Sequence, residues 1–171
     1  MRKGLFTSDF IVGLVIFIAA LLIISPMWGS LNLQVDNQER TRDMQASALS
    51  ATDTLIRTKG SPENWNNTFV KSIGLVEGEE RILSANKSRY FFLYMISNYS
   101  DAKFRLGAGA YQLGAEMRDR NGNVVFYENV NFTNFTISAD AREIAYAQRL
   151  VILKYNDTSQ EFVNLRLAVW R

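Results

Sequence analysis

The chain has 171 residues, 47% of them hydrophobic, and 19 Lys and Arg against 17 Asp and Glu for a net charge of +2. That length suits one domain plus a further segment. With neither cysteine nor histidine in the sequence, disulfide staples, thiolate or imidazole metal sites and histidine acid–base chemistry are excluded, and Lys and Arg too scattered to form a basic patch argue against nucleic-acid binding.

The N-terminal stretch Met1–Ser30 comes first. Arg2 and Lys3 precede Gly4, a short polar patch holds Asp9, and Phe10 to Ile24 carries no charged or strongly polar side chain. Extended by Met27 and Trp28, this run is long enough to cross about 30 Å of hydrocarbon as a helix. The cations belong on the cytoplasmic side, which puts the rest of the chain outside. Three readings compete. A cleaved secretory signal needs small residues behind its apolar run, whereas Ser25-Pro26-Met27-Trp28 is bulky. An uncleaved anchor accounts for the cations and the apolar run, with Asp9 as a first-turn acid facing the helix dipole, but not for a glycine directly after Arg-Lys.

The third reading accounts for all of these features. Lys3-Gly4 followed by Leu5-Phe6-Thr7-Ser8-Asp9 and an apolar helix resembles the class III signal of archaeal type IV pilins. The resemblance implies that a prepilin peptidase cuts between Gly4 and Leu5, with Lys3 in the leader. It implies that Asp9, the fifth mature residue, and Phe10 act in assembly, and that Pro26 kinks the outer part of the apolar helix. The family usually has glutamate at the fifth position and Phe, Met or Gln at the first, where this chain has Asp9 and Leu5. The implied protein is a structural subunit, major or minor, of a surface filament and not an enzyme. Its partners would be copies of itself, related pilins, the peptidase, an assembly platform and, before assembly, membrane lipid. Removing residues 1–4 would leave 17 basic and 17 acidic side chains, and a chain near zero net charge self-associates readily.

Beyond Ser30, Leu31, Val35, Met44, Ala48, Ala51, Leu55 and Ile56 recur at intervals near three and four. One helix over 5–58, apolar over about 10–29 and kinked at Pro26, is expected; two helices with a loop at Ser25–Asn32 are the alternative. Gly60 suits the helix end, and residues 59–171 form a separate head. The string Pro62-Glu63-Asn64-Trp65 with Ile73-Gly74-Leu75 resembles a segment of archaeal pilin-like proteins, which implies a fold back onto the stem; Trp65, Phe69, Ile73 and Leu75 are in any case too apolar for a free loop. A second helix fits Ala85 to Leu106, with Phe91, Tyr94, Met95, Ala102 and Leu106 on one face and Gly107 as its cap. Lys87 to Phe91 matches the Lys-x-x-x-Phe segment of the resemblance.

From Tyr111 the period becomes two. Tyr111, Leu113, Ala115 and Met117 alternate, Asn121-Gly122 signals a hairpin, and Val124, Phe126 and Glu128 return the strand. Asn131 to Ile137 alternates as well. Ile144–Tyr155 and Phe162–Trp170 read as a last hairpin with Val151, Leu153, Val163, Leu165, Leu167 and Val169 inward. The expected architecture is α+β: a long N-terminal helix packed on a small antiparallel β-meander of four or five strands, with a second helix.

Six Asn-x-Ser/Thr sequons begin at Asn66, Asn86, Asn98, Asn131, Asn134 and Asn156, an excess that reads as surface glycosylation or, individually, as turn chemistry. Asp119–Asn123 has a fragment of a calcium-loop pattern without its terminal glutamate and reads as a turn. Glu79-Glu80 and Asp140/Glu143 have no base or nucleophile beside them and read as solvated surface. No catalytic residue, cofactor or metal is expected.

Overall fold

The computed structural model describes residues 5–171. The chain is α+β, with an N-terminal apolar helix and a mixed sheet. It divides into a unit ending at Arg40 and a unit Thr41–Arg171.

Helix α1 runs Leu5–Arg57 and passes through Pro26 without a break in its assignment. Proline has no N–H, so one intrahelical bond is missing there. Within the second unit, Met44, Ala48, Ala51, Leu55 and Ile56 are buried, the i, i+3, i+4 stripe the sequence shows. Val35 belongs to the first unit and is exposed, and Leu31 lies outside the residues whose side chains are described.

The returning segment closes the helix end. The N–H groups of Leu75, Arg81 and Val76 donate to the carbonyls of Leu55, Ile56 and Thr58 at 3.0, 2.9 and 3.0 Å, satisfying groups a helix C-terminus leaves orphaned. Lys87 Nζ takes the carbonyls of Lys59 and Val76 at 2.9 and 3.0 Å. Trp65, Ile73 and Leu75 are buried as expected, and Trp65 Nε1 donates to Gly74 O at 2.9 Å. Phe69 does not join them; it is exposed, because Asn66 Oδ1 accepts from the Thr68 and Phe69 N–H groups and curls the loop outward there.

The second helix is two helices, α2 (Ala85–Ser97) and α3 (Tyr99–Arg105). Asn98 breaks them with φ −133° and ψ 46°, off helical geometry. The buried face survives the break: Phe91, Tyr94, Met95, Ala102 and Leu106 are all inside. Gly107, at φ +75°, ends α3 as a Schellman motif, its N–H on Phe104 O and the Ala108 N–H on Lys103 O.

The sheet is not a meander. Strands β1 (Ile82–Ser84), β2 (Gln112–Arg118), β5 (Ile144–Lys154) and β6 (Gln160–Trp170) lie in the order β1-β5-β6-β2, and β1 pairs parallel to β5. The expected last hairpin is present, with Lys154 opposite Gln160 and Ile144 opposite Trp170, and its six expected inward residues are buried. A two-stranded ladder, β3 (Phe126–Tyr127) with β4 (Val130–Asn131), turns at Glu128 and Asn129, both at positive φ. Glu128 is thus a turn residue, not part of a returning strand. Val125 is buried while Phe126 is exposed, the reverse of the expected phase. Asp119 O accepts from Gly122 N–H, and Gly122 sits at φ +85°; that left-handed glycine adds a residue after the turn, and one added residue inverts the faces. The stretch Asn131–Ile137 is no regular strand beyond Asn131; Phe132 O accepts from Met117 N–H and Asn134 N–H donates to Ala115 O, so 132–134 runs as an irregular strap along β2.

Donors hold the carboxylates of Asp101 and Asp119 ionised. Asp101 lies below the usual range because the Arg105 guanidinium and then the Tyr94 hydroxyl donate to it; Asp119 is lowered by backbone N–H groups, Asn123's foremost. A carboxyl lowered in the folded state binds fewer protons than in the unfolded chain, so its contribution is complete above the unfolded value and lost as pH falls through the folded one. With no histidine to titrate, thermal stability should be flat between about pH 5 and 8 and fall below about pH 4, as read by unfolding scans of the detergent-solubilised chain. A transition near pH 6 would contradict this.

Candidate functional site

The residues singled out at the N-terminus form the first site. Lys3 and Gly4 lie outside the described residues. Leu5 opens α1 and Asp9 is within it, their side chains also outside the description. From Phe10 to Gly29 the helix has a mean hydropathy of 2.8 and none of it is buried in the protein. Phe10, Phe17, Leu22 and Trp28 are each 60% or more exposed. Large apolar side chains point in every direction around this segment, so no single stripe could be hidden against one partner surface; it needs apolar surroundings on all sides. Among the described residues it is one helix long and apolar enough to cross a membrane. A signal sequence passes the same test of length and composition.

The second site is the set of sequons, and the structure separates them. Asn66 and Asn156 make the same local arrangement. In each, Oδ1 accepts the hydroxyl and the N–H of the threonine two residues on: Thr68 at 2.7 and 2.9 Å, Thr158 at 2.9 and 3.0 Å. Asn86 is exposed in the first turn of α2, but its sequon serine, Ser88, is fully buried. Asn98 stands at the helix break, and its neighbour Tyr99 bonds through its hydroxyl to Gln112 and Leu113. Asn131 precedes Phe132, which is fully buried and stacked on Phe92 at 5.2 Å. Asn134 donates from Nδ2 to Met95 O at 3.4 Å.

Asp119 Oδ1 accepts from the Asn121 and Asn123 N–H groups at 2.8 Å, so the calcium-like fragment spends its carboxylate on its own turn. Among the described residues no three His, Cys, Asp or Glu side chains are grouped to hold a metal. Glu79, Glu80 and Asp140 are exposed, but Glu143 is half-buried and paired with Arg171 at 3.1 Å, so that acid pair is not purely solvated surface.

One cluster escaped the sequence reading. Glu116 is buried at 2% exposure between Arg118 at 2.9 Å and Arg166 at 3.1 Å. Arg166 lies directly opposite on β6, its guanidinium 4.8 and 4.5 Å from the ring centres of Phe135 and Tyr146, which stack on each other at 6.3 Å. The strap bearing Phe135 covers this outer side of the sheet, which is why all five central residues of β2 are buried. A glutamate in an alternating strand looks solvated; only a covering segment from another part of the sequence buries it. Compared with protein families, characterised proteins and solved structures, the chain matches none of them.

Proposed function

We propose that the chain is a structural subunit of a type IV pilus-like surface filament, trimmed after Gly4 and polymerised through α1. The observation that carries this reading is the fully exposed apolar cylinder Phe10–Gly29, which begins a helix whose far end, Met44 to Ile56, is built into a folded core. One element thus joins a segment that demands apolar neighbours to a unit that is folded without them. The resemblance of Lys3-Gly4-Leu5 and Asp9 to a prepilin signal supplies the processing step.

In this mechanism the precursor waits in lipid with Arg2 and Lys3 at the inner face. Cleavage removes both charges and frees the α-amine of Leu5. The apolar span then exchanges lipid for the spans of other copies, a step driven by packing and not by hydration, since lipid is equally apolar. An ionised carboxylate costs several kcal/mol in such surroundings unless paired. Asp9 stands one residue ahead of the span, and the new amine of a neighbouring copy is its partner.

Mass measurement of the native N-terminal peptide, with imaging of sheared surface fibres, tests the reading. A chain beginning at Leu5 in fibres supports it. One beginning at Met1 makes the protein an uncleaved anchored ectodomain, and one lacking the apolar run makes it a secreted protein. Asp9→Ala should lower fibre yield at least about tenfold while Asp9→Glu keeps most of it; a tenfold change corresponds to 1.4 kcal/mol. Fibres of Asp9→Ala at the normal yield would remove the pairing role.

A further inference from the structure

We propose that the folded protein accepts N-linked saccharide at two of its six sequons, Asn66 and Asn156, and at none of the other four. This rests on the reading above only in that the second unit is outside the cell. The acceptor step is a substitution at a sugar. Nδ2 attacks the anomeric carbon of a saccharide carried on a lipid phosphate or pyrophosphate; the C–N bond forms as the bond from that carbon to phosphate oxygen breaks. Nδ2 gives up one proton and the lipid phosphate leaves as the anion. The side chain must therefore offer a free Nδ2 with the Ser or Thr hydroxyl two residues on, in a peptide a transferase can grip.

Asn66 and Asn156 meet these conditions in the folded chain. At both, Oδ1 is already turned to the threonine hydroxyl and N–H, and a third N–H, from Phe69 at 3.0 Å or Ser159 at 2.8 Å, completes its shell. The carboxamide is pinned through its oxygen, and among the described residues its Nδ2 has no partner. Asn66 and Asn67 are half-buried and Thr68, Asn156, Asp157 and Thr158 are exposed, so no residue of either tripeptide is itself part of the core.

The other four sequons lack this freedom. Ser88 and Phe132 are fully buried, so presenting Asn86 or Asn131 means pulling a core residue out. Asn98 spends Nδ2 on Ser97 Oγ at 3.0 Å and Tyr99 is tied at its hydroxyl to β2, and Asn134 spends Nδ2 on Met95 O and its N–H on Ala115 O. Pulling Ser88 or Phe132 from the core approaches the cost of global unfolding and is correspondingly rare, whereas loops open at almost none.

Peptide mapping by mass spectrometry of the chain isolated from its native cell surface tests this. Saccharide on the Asn66 and Asn156 peptides, with the other four bare, is the expected result. Saccharide at Asn86, Asn98, Asn131 or Asn134, or bare asparagine at both 66 and 156, overturns it. Thr68→Val and Thr158→Val should each remove saccharide from its own site alone, and Thr→Ser at either should keep it; retention in the valine variants counts against the proposal. The same digest reads the N-terminus. Saccharide at both sites on a chain beginning at Met1 sinks the filament reading only, and bare sites on a chain beginning at Leu5 sink this proposal only.

Discussion

Gly74→Ala should cost about 3 kcal/mol or more, the upper part of the range for forcing atoms into a packed site, and should lower the unfolding temperature of the detergent-solubilised chain by roughly 10 °C. A β-carbon there would stand 2.2 Å from Thr58 Oγ1 and 2.4 Å from both Gly60 N and Thr58 O. A hydroxyl can swing away, but two of the three obstacles are backbone. They cannot retreat without breaking the bonds by which Leu75, Val76 and Arg81 close the end of α1. Trp65 sits against the same crossing and donates to Gly74 O, so a shift there also opens the core around it. Gly109→Ala is the control. Its nearest neighbour would be 3.6 Å away, ordinary contact, and its effect should stay within about 0.5 kcal/mol. If the two variants unfold within 1.4 kcal/mol of each other, roughly one factor of ten in the folding constant, the crossing is not the tight point described.

Glu116→Ala should destabilise by about 2–3 kcal/mol. Removing one partner of a buried ion pair costs roughly 3–5 kcal/mol because the other charge is stranded. Here Arg166 and Arg118 retain 36% and 44% side-chain exposure, so water recovers part of that loss. Glu116→Gln keeps the shape and one acceptor and should cost less than half as much. Arg118→Ala should cost less than either glutamate variant, since Arg166 would still pair with the carboxylate. Denaturant midpoints of the three variants give the order directly; Arg118→Ala matching Glu116→Ala would place the clamp on the wrong arginine.

These two positions show where reading a sequence stops. The closing hairpin was legible because it is local: β5 and β6 alternate cleanly and the polar run Asn156–Ser159 lies in the turn between them, which fixes register and face together. The stripe from Met44 to Ile56 was legible for the same reason, at period 3.6. Strand β1 was not, because the three residues Ile82–Ser84 are too few to show a period, and the partner that makes them a strand lies seventy residues away, at Ile152. Phe69 and Phe126 look like core residues by composition and are exposed. In each case a feature of the turn decided: the Asn66 side chain turned one loop outward, and a left-handed Gly122 reversed the phase of the other.

By itself the sequence determined a single apolar span behind two cations, its continuation into an amphipathic helix, a final hairpin, and six sequons, since each is written in neighbouring residues. Only the tertiary structure decided the order and direction of the strands, the burial of Glu116 between two arginines, the crossing at Gly74 and which sequons remain free of the core. Those depend on segments distant in the chain being brought together, and no local period records which segments will meet.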